Sequence, residues 1–309
     1  MCEFSGDSAP VTAGWRCPVF FQTRWYRGRV KRALLVVALL LLAAASFASR
    51  PYLVSRIERG MIKIHGPGSR TPGTRGLVFE ELRIPSGDRT LRAFYVPAES
   101  ATAPAVLIFH GNSEAISSWV EALKLIHDDG VTAMVFDYSG FGASTGEPTL
   151  AHFREDGFAA WRAFRTRLPA ATRACAYGLS LGSGVLLDVA SELSPAPDCV
   201  ATSGAFTSAR DAAVLFHRVP RWLAPLLPDV LDNVEGAARL KAPLLVEHGA
   251  RDELFPVAYA ERIAAAHPGA ELSIVPGMKH GDPVAHPSEA AWAPVVAHVK
   301  AQPSRSAGN

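Results

Sequence analysis

This sequence is poor in the features that define a protein by composition. Its four cysteines in 309 residues are too few for a disulfide scaffold, and no cysteine and histidine spacing suggests a metal site. Cys2 and Cys17 precede an apolar run. Cys175 and Cys199 fall in stretches that read as buried strands, where cysteine usually behaves as a small apolar residue. A bridge between them needs neighbouring strands, and cross-strand geometry weighs against it. Charge of one sign is also scarce: lysine plus arginine number 31 against 29 acidic residues. The small basic excess is local. Arg16, Arg24, Arg27, Arg29, Lys31, Arg32 and Arg50 face only Glu3 and Asp7, so the first 50 residues carry +5 and the remainder −3. A slightly acidic body argues against a nucleic-acid partner.

There is one long hydrophobic run. Residues 33–49, ALLVVALLLLAAASFAS, are uncharged and at the short end of what spans a bilayer as a helix. Basic residues crowd the segment 1–32 before it and only Arg50 follows directly. The positive-inside rule then leaves the N-terminus in the cytoplasm and exports the body, to the periplasm or another extracytoplasmic space. Trp25 and Tyr26 suit the membrane interface. The competing reading is a signal peptide cut near Ser46-Phe47-Ala48, giving a secreted protein. The long extension before the run favours an uncleaved anchor, although a chain starting near Val30 would resemble an ordinary signal.

The chain beyond residue 50 is long enough for one α/β domain. Residues 50–76 are rich in glycine and proline and read as a linker. Strands are expected over 77–84 and 90–96 around the turn Ser86-Gly87-Asp88. Apolar runs at 105–109, 131–136, 172–177, 200–202, 243–247 and 271–275 then alternate with helical stretches at 118–127, 150–168, after Ser180, and at 257–266. This alternation predicts a doubly wound, mostly parallel sheet in a domain over 77–300, with its site at the carboxyl ends of the strands. The stretch 206–242, cut by Pro220, Pro225 and Pro228, reads as a small helical cap over those ends or as a packed crossover helix. Residues 301–309 form a polar tail.

Chemistry concentrates at Gly178-Leu179-Ser180-Leu181-Gly182, a G-x-S-x-G nucleophile elbow in which a strand turns sharply into a helix and exposes the serine hydroxyl. Gly178 and Gly182 remove Cβ atoms where the backbones must cross. A serine needs a base, and the base an orienting acid. Asp252 directly follows the strand at 243–247 and His280 follows the strand at 271–275, so the order is Ser, Asp, His on loops of the same sheet edge. The plainer readings are Asp252 as a cap for the helix near Pro256 and His280 as a solvated loop residue. Glu253 rivals the acid, and His248 and His286 rival the base. For the oxyanion, backbone N–H groups of Leu181 and Asn112 are expected, with Gly111 making the loop after 105–109 possible. His110 reads as a brace for that loop.

The motifs Ile108-Phe109-His110-Gly111-Asn112-Ser113-Glu114, Phe136-Asp137-Tyr138-Ser139-Gly140-Phe141-Gly142-Ala143-Ser144-Thr145-Gly146, the elbow, Ala205-Phe206-Thr207-Ser208 and Asp252-Glu253-Leu254-Phe255-Pro256 together resemble α/β-hydrolases of the Bem46-like group. That group is related to the membrane-anchored serine hydrolases that include protein depalmitoylases. The resemblance covers residues 77–299 and implies the same triad, Ser180, Asp252 and His280. One departure is Ser139, where the family usually carries arginine after Asp-Tyr. Residues and resemblance together imply a serine hydrolase of small-molecule or lipid acyl esters or thioesters, needing no metal or organic cofactor. The alternatives are an acyltransferase using the same residues and a non-catalytic lipid-binding protein on the same fold. A peptidase is disfavoured because no additional domain is visible to select a peptide. Dehalogenation is disfavoured because the elbow carries serine where that chemistry uses aspartate.

Overall fold

The computed structural model describes residues 62–301 together with residues 31, 34–38, 40, 41, 44, 48, 52 and 55. Eight of the 17 residues of the apolar run, nearly all of the basic segment before it and nearly all of the tail therefore lie outside the described residues. Those described within the run are helical, and Leu34, Leu35, Val36, Val37, Leu40 and Leu41 are exposed. Among the described residues no helix is long and apolar enough to cross a membrane.

In chain order the body comprises β1 (Glu80–Ser86), β2 (Arg89–Val96), β3 (Ala105–Phe109), α1 (Val120–Asp128), β4 (Thr132–Phe136), α2 (Leu150–Arg165), β5 (Ala174–Leu179) and α3 (Leu181–Val189). After these come β6 (Cys199–Ser203), α4 (Ala209–Leu215), α5 (Asn233–Arg239), β7 (Leu244–Gly249), α6 (Val257–Ala266), β8 (Glu271–Val275), α7 (Asp282–Ala285) and α8 (Glu289–Lys300). They build one eight-stranded sheet in the order β1-β2-β4-β3-β5-β6-β7-β8. The first two strands are an antiparallel hairpin and β2 is antiparallel to β4, while every pairing from β4 to β8 is parallel. Side chains alternate along each strand, so each parallel strand feeds two cores. Leu107, Phe109, Ala176, Val200 and Val246 pack beneath α2, α3 and α6 with Phe153, Phe164, Leu186 and Ile263. Val106, Ile108, Tyr177, Ala201 and Leu245 face the other way, against Leu123 of α1 and Trp292 and Val295 of α8.

Several sequence expectations change in detail. The first hairpin turns on Gly87 and Asp88 alone, because Ser86 already pairs with Arg89, and β1 accordingly begins at Glu80. α8 has no counterpart in the sequence pattern because its run is broken by Pro294, yet it covers the sheet with Trp292, Val295 and Val299. The stretch 206–242 divides in two. α5 is a crossover helix, held so closely on α3 that a Cβ on Gly236 would lie 2.6 Å from the Leu187 carbonyl oxygen, whereas α4 and a 3-10 turn at Ala224–Leu226 form the irregular part.

The largest change concerns Cys175 and Cys199, which composition alone makes buried thiols. They sit directly opposite one another on β5 and β6 with Cα atoms 4.7 Å apart and form a disulfide. Adjacent register on neighbouring strands overcomes the geometric objection, because both side chains point into the core under α8. The bridge closes a separation of 24 residues, for which chain entropy gives a stabilisation of about 3 kcal/mol. Guanidinium unfolding of a Cys175→Ala/Cys199→Ala protein should therefore show stability lowered by about that amount, and reductant should destabilise the wild type but not the double variant.

Candidate active site

The site forms where four parallel strands end. β5 passes into α3 through Ser180, whose backbone sits at φ 52 and ψ −114, a conformation that costs a non-glycine residue and persists only under surrounding constraint. The constraint is visible. Ser180 donates its N–H to the Ser203 carbonyl oxygen at the end of β6, 2.9 Å away, and the Ser183 hydroxyl donates to the Gly178 carbonyl at 2.7 Å. Gly178 and Gly182 lie where the backbones approach closely. A Cβ on Gly182 would fall 1.9 Å from the Phe109 carbonyl oxygen, and one on Gly178 would fall 2.6 Å from the Gly182 oxygen.

His280 and Asp252 arrive from loops that are stitched together. After β7, Ala250 donates to the Val275 carbonyl at 3.0 Å and Arg251 to that of Met278 at 3.0 Å. The loop after β8 is thereby fixed beside the loop after β7. His280 Nε2 lies 2.9 Å from Ser180 Oγ, and its Nδ1 lies 2.8 Å from Asp252 Oδ2. The other carboxylate oxygen of Asp252 accepts the backbone N–H groups of Leu254 and Phe255, each at 2.8 Å. Burial raises the Asp252 pKa, but the His280 hydrogen bond and charge and these two amides outweigh it and hold the group below the usual aspartate value. Asp252 does not take the capping role of its plainer reading: α6 begins after Pro256 with no side-chain cap, and the first oxygen of Asp252 instead holds the turn that leads to it. The rivals are placed otherwise. Glu253 accepts the His280 backbone N–H at 3.3 Å, His248 lies against the Phe255 carbonyl at 3.0 Å, and exposed His286 pairs with Asp282.

Leu181 opens α3 immediately after Ser180, and Asn112 lies in the loop after β3. The same missing Cβ of Gly182 would stand 2.7 Å from the His110 carbonyl oxygen, which brings the start of α3 against that loop. His110 is fully buried and held by Gly111, its Nδ1 lying 2.7 Å from the Gly111 carbonyl. Desolvation lowers its pKa to about 4, so the ring is neutral and braces the loop. Gly111 leaves room for Glu114, whose carboxylate would meet a Cβ there at 2.8 Å. Nothing in the sequence pattern gives Glu114 this part. It accepts the Gly111 N–H at 2.9 Å and the Trp119 indole N–H at 3.0 Å, and burial pushes its pKa up to about 7 against those bonds.

Ser139, the departure from the family pattern, is fully buried. Arg89 of β2 donates Nε–H to its hydroxyl at 2.9 Å and pairs with Glu155 and Asp156. A guanidinium therefore reaches this place from a different strand.

The family model described as Serine aminopeptidase, S33 matches residues 100–235, a stretch that holds Ser180 and Asn112. An uncharacterized protein of Mycobacterium tuberculosis is 32% identical over 263 residues, covering 82% of this chain and 89% of that one. Human protein ABHD12B is 28% identical over 177 residues, 52% of this chain and 49% of its own. Among solved structures, a Pyrococcus furiosus esterase superposes with a TM-score of 0.63 at 18% identity, covering 77% of this chain and 98% of that chain. Sheet order, strand-end site and serine elbow define an α/β-hydrolase fold. The chain belongs to the α/β-hydrolase superfamily.

One buried acid beneath the elbow yields a pH test. Glu247 lies within β7, fully buried, and accepts the Ser203 hydroxyl at 2.8 Å, beside the carbonyl that fixes Ser180. Burial outweighs that bond and raises its pKa to about 8. A carboxyl raised on folding contributes stability that is full below its unfolded pKa of 4.5 and is lost as pH rises toward 8. Chemical denaturation between pH 5 and 8 should show a loss of stability larger in the wild type than in Glu247→Gln by an amount on the order of a few kcal/mol, the buried Glu114 contributing to both.

Proposed function

We propose that this protein is a serine hydrolase cleaving carboxylic esters or thioesters through an acyl-enzyme. The observation that carries the reading is the continuous chain from Ser180 Oγ to His280 Nε2 at 2.9 Å and from His280 Nδ1 to Asp252 Oδ2 at 2.8 Å. In this reading His280 takes the serine proton as Oγ attacks the acyl carbon, then gives it to the leaving alkoxide or thiolate. Water, deprotonated by the same ring, attacks the acyl-serine, and the proton returns to Oγ as the acid departs. Asp252, held ionised, keeps Nδ1 protonated and stabilises the imidazolium. The backbone N–H groups of Leu181 and Asn112 receive the oxyanion, the first from the positive end of α3.

An apolar acyl group suits the wall beside the base. Phe255 lies edge-on to His280 with ring centroids 5.4 Å apart, and Phe206 and Phe216 each approach Phe255 at 5.6 Å. Beyond Phe216 the cap carries exposed Trp222 and Leu226, an arrangement that suits a lipid-borne substrate. Solved relatives of this fold include proteins titled esterase and thioesterase domain, which supports ester and thioester chemistry over the aminopeptidase activity in the family description. We further infer that the N-terminal apolar run anchors an exported body. A yeast relative, 23% identical over 231 residues, is named an uncharacterized membrane protein, and a disulfide in the core suits an oxidising compartment.

Ser180→Ala should lower hydrolysis of p-nitrophenyl esters by about a thousandfold or more and abolish labelling by a fluorophosphonate probe. Undiminished labelling would remove Ser180 from the mechanism. Product analysis with added alcohols and amines separates hydrolysis from acyl transfer, water being the expected acceptor.

A further inference from the structure

The segment 62–68, a linker by composition, is stitched to the loop that carries Asn112. Ile62 packs against the core under α2 and α3. The main chain of Lys63 then makes two bonds with consecutive residues of the loop: its N–H donates to Asn112 Oδ1 at 2.8 Å, and its carbonyl accepts the Ser113 N–H at 3.1 Å. Two residues on, the His65 carbonyl accepts the Gly142 N–H at 3.0 Å, tying the strap to the loop after β4. Gly68 passes so close to Ser117 that a Cβ there would lie 2.1 Å from its hydroxyl.

The loop needs such support. Ser113 is a non-glycine residue at φ 62, in the left-handed region that costs L residues. Glu114 holds only one side, through Gly111 and Trp119. The strap takes up groups on the other side, at the two residues next to Gly111.

We propose that the main chain of Lys63 is a positioning element of the active site, holding the Asn112 N–H where it meets the oxyanion. This rests on the serine-hydrolase reading above. The fixed point is Lys63, 14 residues beyond the end of the apolar run at residue 49. Cutting the chain near residue 48, as a signal peptidase would, leaves the strap intact, and cutting beyond residue 68 removes it. The N-terminal run is thus joined to the domain through a segment that touches the catalytic loop.

Because the bonds are made by the main chain of Lys63, proline tests them and alanine controls for the side chain. Lys63→Pro deletes the N–H donor, and Lys63→Ala keeps it. In the full-length protein, amide hydrogen exchange in the peptide spanning residues 110–115 should be faster in Lys63→Pro than in Lys63→Ala. Its kcat on a p-nitrophenyl ester should be about fivefold lower, the worth of one neutral hydrogen bond, with KM within about twofold and an unchanged thermal midpoint. In a double-mutant cycle, adding Lys63→Pro to Asn112→Ala should cost little more than Asn112→Ala alone, since both remove the same bond. Equal exchange in the two Lys63 variants, equal kcat, or fully additive losses would overturn the inference. A wild-type protein inert toward esters and fluorophosphonate would overturn the hydrolase reading instead, a result the wild-type control separates from failure of the strap.

Discussion

Everything at the site depends on how closely α3 passes over the end of β3. A Cβ on Gly182 would overlap the Phe109 carbonyl oxygen at 1.9 Å, so no other residue permits the crossing without moving backbone. That crossing accompanies the positive-φ turn at Ser180 and brings the start of α3 against the loop after β3. Both features meet at one backbone contact, which is why the elbow glycines cannot be exchanged for larger residues. The strain of Ser180 is tolerated because its neighbours over-determine it, through the Ser203 carbonyl on one side and the Ser183 hydroxyl on the other.

The partners of Ser180 are positioned by the direction of the strands. Parallel strands deliver all their following loops to one edge, so residues 72 and 100 positions from Ser180 in sequence come within hydrogen-bond distance in the order Ser180, His280, Asp252. The loops after β7 and β8 then bind each other through Ala250 and Arg251. Asp252 is steered by that stitching and by two amides of its own loop, leaving one oxygen for His280.

Strand-by-strand alternation and the motif positions are legible in the sequence because each is local: β3 and β8 run over the residues expected, as does α6. What escapes is non-local. The disulfide requires knowing that β5 and β6 are neighbours in matched register, which periodicity does not encode. α8 is hidden by Pro294, and its helix is stabilised by Trp292 and Val295 packing on the sheet more than by propensity. The strap at Lys63 is bound through backbone atoms that every residue possesses, so its composition indicates only a loop. Arg89 shows a further limit. A serine at position 139 reads as a lost arginine, yet Arg89 supplies a guanidinium to the same buried spot from β2.

The placement of carboxyl groups explains why one acid is available to orient the base. Glu247 lies beneath the elbow and Glu114 beneath the loop that carries Asn112, and burial pushes them to about 8 and about 7. At neutral pH Glu247 is therefore mostly protonated and Glu114 carries partial charge. Asp252 is pulled the other way by the His280 ring and two amides. In the proposed mechanism the imidazole then meets a carboxylate at Nδ1, while the acid beneath the elbow is held mostly uncharged. Were Glu247 ionised, its charge would sit one hydroxyl away from the strand end that holds Ser180 and, in the proposed mechanism, would oppose the negative charge that develops there. Desolvation does on this fold what a separate counter-charge would otherwise have to do: it silences one carboxyl so that another of the same chemistry can act.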